Sequence, residues 1–320
     1  MLTCWKLLVV RIFKVRKVSH FIMNSIYERV SDINRTKMII FKTASDLRHQ
    51  FDKYRQKGQA IGFAPTMGAL HDGHLSLLKT SKSQNQVTLC SIFVNPAQFN
   101  DPKDFKKYPS TLERDIYKLE TGGCDLLFLP PVEEIYPDGV TEKKHYDLGY
   151  LDTMLEGKFR PGHFQGVCMA VERLLEIVLP DNLYLGQKDF QQCMVIKRLI
   201  QLMGKENKIH TNICPILREQ DGLAMSSRNM RLIGEQRAKA VALYETLNFL
   251  KQNLNKGSLS DLKKEATTLL QEKNFKPDYV EIANAKTLRP INEWDSRSNI
   301  VGLVAAYIGD VRLIDNMILN

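Results

Sequence analysis

The chain reads as an α/β protein: a doubly wound parallel sheet followed by a smaller α+β domain, with the boundary near residue 215. Short apolar runs at 60–65, 87–94, 125–129 and 183–186 alternate with helical patterns near 74–83, 111–121, 164–178 and 189–203. That alternation marks βαβ units around a sheet buried on both faces. The chemically unusual residues follow the strand-like runs, and such sheets collect ligands outside the carboxyl ends of their strands. After Cys214-Pro215 the texture changes. Helical patterns at about 231–253 and 258–273 precede strand-like runs at 278–284, 299–306 and 311–315. No internal repeat or low-complexity tract is visible.

The first run leads into Pro65-Thr66-Met67-Gly68-Ala69-Leu70-His71-Asp72-Gly73-His74, and Leu75-Ser76-Leu77-Leu78 then starts a helix. Two histidines three apart at a strand-to-helix turn fit a phosphate site. Glycine lets the backbone approach an anion, and the helix N-terminus offers free N–H groups and partial positive charge. Imidazoles there can donate to phosphate oxygens and stabilise charge on a leaving pyrophosphate. A metal pair and two incidental histidines are the rivals. Zinc would need further ligands, and no Cys or His follows at metal spacing.

The second run ends in Asn95-Pro96-Ala97-Gln98, two carboxamides at a loop mouth suited to a hydroxylated acid, or simply a turn. Arg160-Pro161-Gly162-His163 adds a guanidinium and an imidazole; the bland alternative for Arg160 is a structural ion pair with Glu156. In Gly186-Gln187-Lys188-Asp189, the glycine permits close ligand approach, Lys188 supplies a point charge, and Asp189 is a candidate N-cap. Gln192 falls one turn further on. Met225-Ser226-Ser227-Arg228-Asn229 brings hydroxyls and a guanidinium into one loop that can close over a triphosphate, cap the next helix, or do both. Each signal is weak alone, but their order at successive loop mouths is not.

At 320 residues the chain is long enough for one large or two ordinary domains. No apolar run approaches the roughly eighteen residues of a membrane span. Six scattered cysteines, without a Cys-x-x-Cys pair, read as small buried hydrophobes in a reducing compartment. The net charge of +9 suggests nucleic acid, but residues 1–37 carry +6 of it, so the body calls for no polyanionic partner. The first 27 residues hold no acid. Residues 1–37 therefore read as a mitochondrial transit peptide, a disordered cytoplasmic extension, or untranslated sequence ahead of a start at Met23 or Met38.

Over residues 38–320 these segments, with the Tyr108-Pro109 and Tyr136-Pro137 turns, Arg160-Pro161-Gly162-His163-Phe164-Gln165-Gly166-Val167 and the tail Arg312-Leu313-Ile314-Asp315-Asn316, resemble the pantoate–β-alanine ligase family. The first segment and Met-Ser-Ser-Arg-Asn also resemble the paired signatures of the wider adenylyl-transferring superfamily. The resemblance implies a Rossmann-like N-terminal domain (38–215), a C-terminal α+β lid domain (216–320), and a cytoplasmic homodimer without membrane span. It implies ATP-dependent joining of (R)-pantoate and β-alanine through a pantoyl adenylate, releasing AMP and pyrophosphate, as a step of pantothenate and coenzyme A biosynthesis.

Among site residues, the resemblance implies that His71, His74, Lys188 and Arg228 act in catalysis, with His74 favoured as proton donor. Met67, Gly68, Gly186, Gln187, Asp189, Leu217, Met225, Ser226 and Ser227 would join them around ATP and Mg²⁺. Gln98, Gln192, Asn95, Arg160 and His163 would bind pantoate and β-alanine; the metal ligands stay unassigned. Ser110 stands where the family usually carries arginine, and the extension has no family counterpart. The rivals are another adenylyl- or cytidylyltransferase on the same fold and a non-catalytic nucleotide-binding protein.

Overall fold

The structure, a computed structural model, describes residues 38–99, 105–140 and 144–320. The extension expected at 1–37 lies outside the described residues. Chain order runs β1 (Ile39–Phe41), α1 (Ala44–Arg55), β2 (Ile61–Thr66), α2 (Asp72–Gln84), β3 (Val87–Ile92), α3 (Leu112–Thr121) and β4 (Leu126–Phe128). It continues with α4 (Val132–Ile135), α5 (Glu156–Phe159), α6 (His163–Val178), β5 (Asn182–Gly186), α7 (Phe190–Leu202) and β6 (His210–Cys214). These six strands form one sheet in the order β1-β4-β3-β2-β5-β6, and every pair is parallel.

Alternate side chains of each strand point to opposite faces, and both faces are covered. Phe63, Leu126 and Phe128 pack with Leu47 and Phe51 of α1 and with the apolar faces of α6 and α7. Ala64 and Leu127 pack on the other side against Leu77 and Leu78 of α2 and Leu119 of α3. The expected helices and inner strands therefore occur where the apolar pattern placed them. β1, α1 and β6 were not expected. β1 and β6 sit at the edges of the sheet with half or more of their residues partly or fully exposed, so their apolar periodicity is faint. α1 is announced by a cap, since the Thr43 hydroxyl accepts from the Asp46 N–H at 3.2 Å.

The C-terminal part comprises α8 (Gly234–Lys239), α9 (Ala242–Asn253), α10 (Leu259–Glu272), β7 (Lys276–Asn284), β8 (Ile300–Ile308) and β9 (Val311–Ile318). Its strands make an antiparallel sheet in the order β7-β8-β9. The single helix expected over 231–253 starts later and is divided: Ser227–Arg231 forms a 3₁₀ turn, Gly234, at φ +49°, opens α8, and a turn at Ala240-Val241 separates α8 from α9. β8 is buried on both faces. Ile300, Val304 and Ala306 pack under α9 and α10, while Val301 and Leu303 join the core of the first sheet. Residues 38–320 accordingly form one compact unit.

Candidate active site

The sheet order reverses between β2 and β5. The chain moves from β2 to β3 on one side and later places β5 on the other, which makes this gap the switch point where open α/β sheets take ligands. β2 pairs with β3 over six residues but with β5 over only two, Gly62 with Asn182 and Phe63 with Leu183. Beyond Phe63 the two strands part, and a cleft of about 750 Å³ opens between them and the C-terminal sheet.

One end of the cleft is built on the β2–α2 loop. Gly68 and Ala69 both take positive φ, +80° and +49°, a conformation costly for a non-glycine residue unless its surroundings fix it. Asp115 of α3 fixes it: this carboxylate, 1% exposed, accepts from the N–H groups of Ala69 and Leu70, both at 2.8 Å. The Thr111 hydroxyl donates to it at 3.0 Å, and the Lys118 ammonium holds the Leu70 carbonyl at 2.6 Å. The loop delivers His71 to the N-cap of α2 and His74 to its first turn, with ring centroids 4.0 Å apart.

Both imidazoles are neutral at pH 7. Burial, then the charges of His74, Lys188 and Lys118, hold His71 at about 2. Burial also brings His74 to about 4, with Asp189 pulling upward and the two lysines downward. The backbone N–H of His71 donates to His74 Nδ1 at 3.3 Å, which leaves the His74 proton on Nε2. His74 therefore presents an N–H donor to the cleft. His71 Nδ1 is buried and has no hydrogen-bond partner among the described residues, so donor-acceptor capacity is left for a ligand.

Gly186 ends β5 with open space where a Cβ would stand. Lys188 follows, 3.6 Å from the Asp189 carboxylate. Asp189 occupies the N-cap of α7 without making the expected side-chain cap bond. Across the cleft the Ser226 hydroxyl accepts from the Arg228 N–H at 3.2 Å, so Ser226 caps the 3₁₀ turn Ser227–Arg231, whereas the next α-helix starts at Gly234 without a side-chain cap. Ser227, buried, donates to the Ala69 carbonyl at 3.0 Å, which ties the second loop to the first. Arg228 lines the same space, as do Met225 and Leu217.

The other end is polar and closely knit. The buried Asn95 amide donates to the Gly166 carbonyl at 2.9 Å and to Gln98 Oε1 at 3.0 Å, and Tyr136 donates back to Asn95 Oδ1 at 2.7 Å. Gln98 Nε2 points to Met67 Sδ at 3.1 Å. A Cβ on Gly166 would stand 2.1 Å from the Ala97 carbonyl, so only glycine lets α6 seat against this turn. His163 Nδ1 donates to the Gln98 carbonyl at 2.8 Å. Its Nε2 then accepts from Arg160 at 2.9 Å. Burial and the Arg160 charge lower His163 to about 3 against the pull of that carbonyl and Glu156. Arg160 also lies 3.7 Å from Glu156, the ion pair weighed from sequence.

Sixteen of the expected site residues thus line one cleft, Gln192 among them; Gly68 and Gln187 do not. Gly68 shapes the loop from behind, and Gln187 turns to Asn316 at 3.3 Å. Sequence reasoning did not single out Asp115, Tyr279, or the inward-facing Arg312 and Asn316 as individual contacts, and it paired Glu156 with Arg160 without its fork to Arg312. Among the described residues no group of three or more His, Cys, Asp or Glu side chains could hold a metal ion.

A parallel sheet with a switch-point cleft, lined by basic groups at one end and carboxamides at the other, defines the Rossmann-like class of α/β enzymes. The profile of the pantoate–β-alanine ligase family matches residues 39–318. The pantothenate synthetase of Cytophaga hutchinsonii is 43% identical over 285 residues, covering 88% of this chain and 99% of that one. That of Bacteroides fragilis is 42% identical over 281 residues, covering 88% and 98%. The crystal structure of pantothenate synthetase from Thermus thermophilus aligns with TM-score 0.81 and 38% identity over 88% of this chain and 99% of that one. A Francisella tularensis pantoate–β-alanine ligase, complexed with beta-gamma ATP and β-alanine, aligns with TM-score 0.73 and 39% identity over 88% and 98%. The chain belongs to the pantoate–β-alanine ligase family.

Proposed function

We propose that the chain makes pantothenate in two steps within this cleft. The pantoate carboxylate attacks the α-phosphorus of ATP, the bond to the β-phosphate breaks, and pyrophosphate leaves. The uncharged amine of β-alanine then attacks the acyl carbon of pantoyl adenylate and expels AMP. The observation that carries this reading is the gathering of His71, His74, Lys188 and Arg228 with Gln98, Gln192, Arg160 and His163 around a single cleft.

Little covalent chemistry falls to the protein, so positioning and charge stabilisation supply the rate. Backbone and side chains of Met67, Gly186, Leu217 and Met225 border the nucleotide. The neutral His74 Nε2–H and His71 donate to phosphate oxygens, with Lys188, Arg228 and the Ser226–Ser227 backbone neutralising the outgoing pyrophosphate. Gln98 and Gln192 hold the pantoate hydroxyls, while Asn95 fixes Gln98 instead of touching substrate. Mg²⁺ arrives on the phosphate oxygens of ATP, as part of the substrate. Residues 216–320 act as a lid that keeps water from the activated acid, and the chain works as a cytoplasmic homodimer. The bacterial relatives and the buried free cysteines support that compartment; nothing among them supports a mitochondrial address.

The test is to incubate the full chain with ATP, Mg²⁺, pantoate and β-alanine and to quantify products by mass spectrometry, omitting each substrate in turn. Pantothenate and AMP should form in equal amounts and only with all three substrates. A nucleotide adduct that persists when the amine is present would instead mark an adenylyl- or cytidylyltransferase.

A further inference from the structure

β9 touches both ends of the cleft. The buried Asn316 side chain donates from Nδ2 to the carbonyls of Gln187 and Lys188 at 3.0 and 2.9 Å, holding the turn that presents the Lys188 ammonium. Four residues back, and so on the same face of the strand, Arg312 forks onto both oxygens of Glu156 at 2.8 and 2.7 Å. Its Nε donates to Asp278 at 2.8 Å, and Tyr279 donates to the same Glu156 carboxylate at 2.9 Å. From Glu156 the contacts run on through Arg160 and His163 to the Gln98 carbonyl. The Arg312 and Glu156 side chains are 13% and 9% exposed.

Replacing a buried ion pair by packed apolar groups is often neutral or stabilising, so stability alone is a weak reason for this one. What it does supply is direction: a planar fork fixes the carboxylate it meets. Here the fixed carboxylate lies 3.7 Å from Arg160, a cation lining the cleft beside His163 and the Gln98 turn. We propose that Arg312 is a positioning residue for the acceptor half-reaction, holding Glu156 so that Arg160 meets the carboxylate of a short amino acid. Asn316, on the same strand, does the corresponding work for the adenylating half. β9 therefore keeps the two half-sites in register. The inference rests on the ligase reading above.

The experiment uses the full chain with Arg312→Lys, Arg312→Met and Asn316→Ala. Adenylation is read by pantoate-dependent exchange of labelled pyrophosphate into ATP, and acceptor capture by β-alanine-dependent AMP release. Thermal melts accompany both. Both Arg312 variants should lose at least about tenfold in kcat/KM for β-alanine while exchange stays within about twofold, because misplacement of a positioned group falls on the step it serves. Asn316→Ala should do the reverse. The Lys variant keeps a charge opposite Glu156 and so protects the fold. Wild-type use of β-alanine by Arg312→Lys, or equal loss of both half-reactions with a lowered melt, overturns the inference. Absence of exchange and AMP release in the unmutated chain would overturn the ligase reading instead.

Discussion

The two ends of the cleft are built on opposite plans. At the His71–His74 end the backbone is clamped from behind by Asp115, while capacity toward the cleft stays open: among the described residues His71 Nδ1 has no hydrogen-bond partner and Lys188 lies in a loose 3.6 Å ion pair with Asp189. At the Arg160 end nearly every polar group already answers another, from Arg312 through Glu156, Arg160 and His163 to Gln98 and Asn95. The contrast teaches how one cleft serves two ligand types. A polyanion brings enough charge to occupy waiting donors, whereas a small, weakly held acceptor needs a site whose geometry is fixed beforehand.

The largest break in this contrast is expected at His74. His74→Ala should lower pantoate-dependent pyrophosphate exchange by about 10²- to 10⁴-fold, with the melting temperature little changed; normal exchange would remove His74 from the chemistry. Asp115→Ala comes next. It leaves two buried N–H groups unpaired, so stability should fall by about 2–4 kcal/mol, read by urea unfolding, and KM for ATP should rise while KM for β-alanine stays near wild type. A matching rise for both substrates would show that the clamp serves the whole cleft.

The pH dependence of stability sharpens the contrast further. His71, His74 and His163 fold with values near 2, 4 and 3, below the ordinary 6.5. The unfolded chain therefore binds more protons in that interval. The stability they confer is complete above about pH 6.5 and is lost as pH falls toward each folded value, by up to about 1.4 kcal/mol per pH unit for each group. Urea midpoints taken from pH 7.5 to 5 should decline steadily. Saturating ATP should flatten the His71 and His74 part of the slope and leave that of His163; a slope unchanged by ATP would place the phosphates elsewhere. The smallest structural effect belongs to Gly186→Ala, whose Cβ meets nothing within 4 Å. Its melt should match wild type, and KM for ATP should rise several-fold if that space belongs to the nucleotide.

These two plans also explain what could be read without a structure. His71, His74, Gly186 and Lys188 lie beside strand ends in a pattern that announces turns and helix starts, so local chemistry identifies them. Asp115 looks like any charge on an amphipathic helix; its burial arises only when α3 packs behind the β2–α2 loop. Arg312 meets Glu156 across 156 residues, and no periodicity links the two. The inner strands and long helices were legible from apolar alternation, while β1 and β6 were hidden by their exposure at the sheet edges.

The two-residue pairing of β2 with β5 has a geometric consequence of its own. Hydrogen bonding between these strands stops at Phe63 and Leu183, and that stop is the floor of the cleft. Each strand residue advances the chain by about 3.3 Å, so one more rung of pairing would raise the floor by that distance and shorten the room above it. Depth here is thus set digitally, in whole rungs. Pro65, which has no N–H to donate, sits two residues past the last rung, where zipping further would find no partner. The sheet carries its own stop against closing on the space its ligands need.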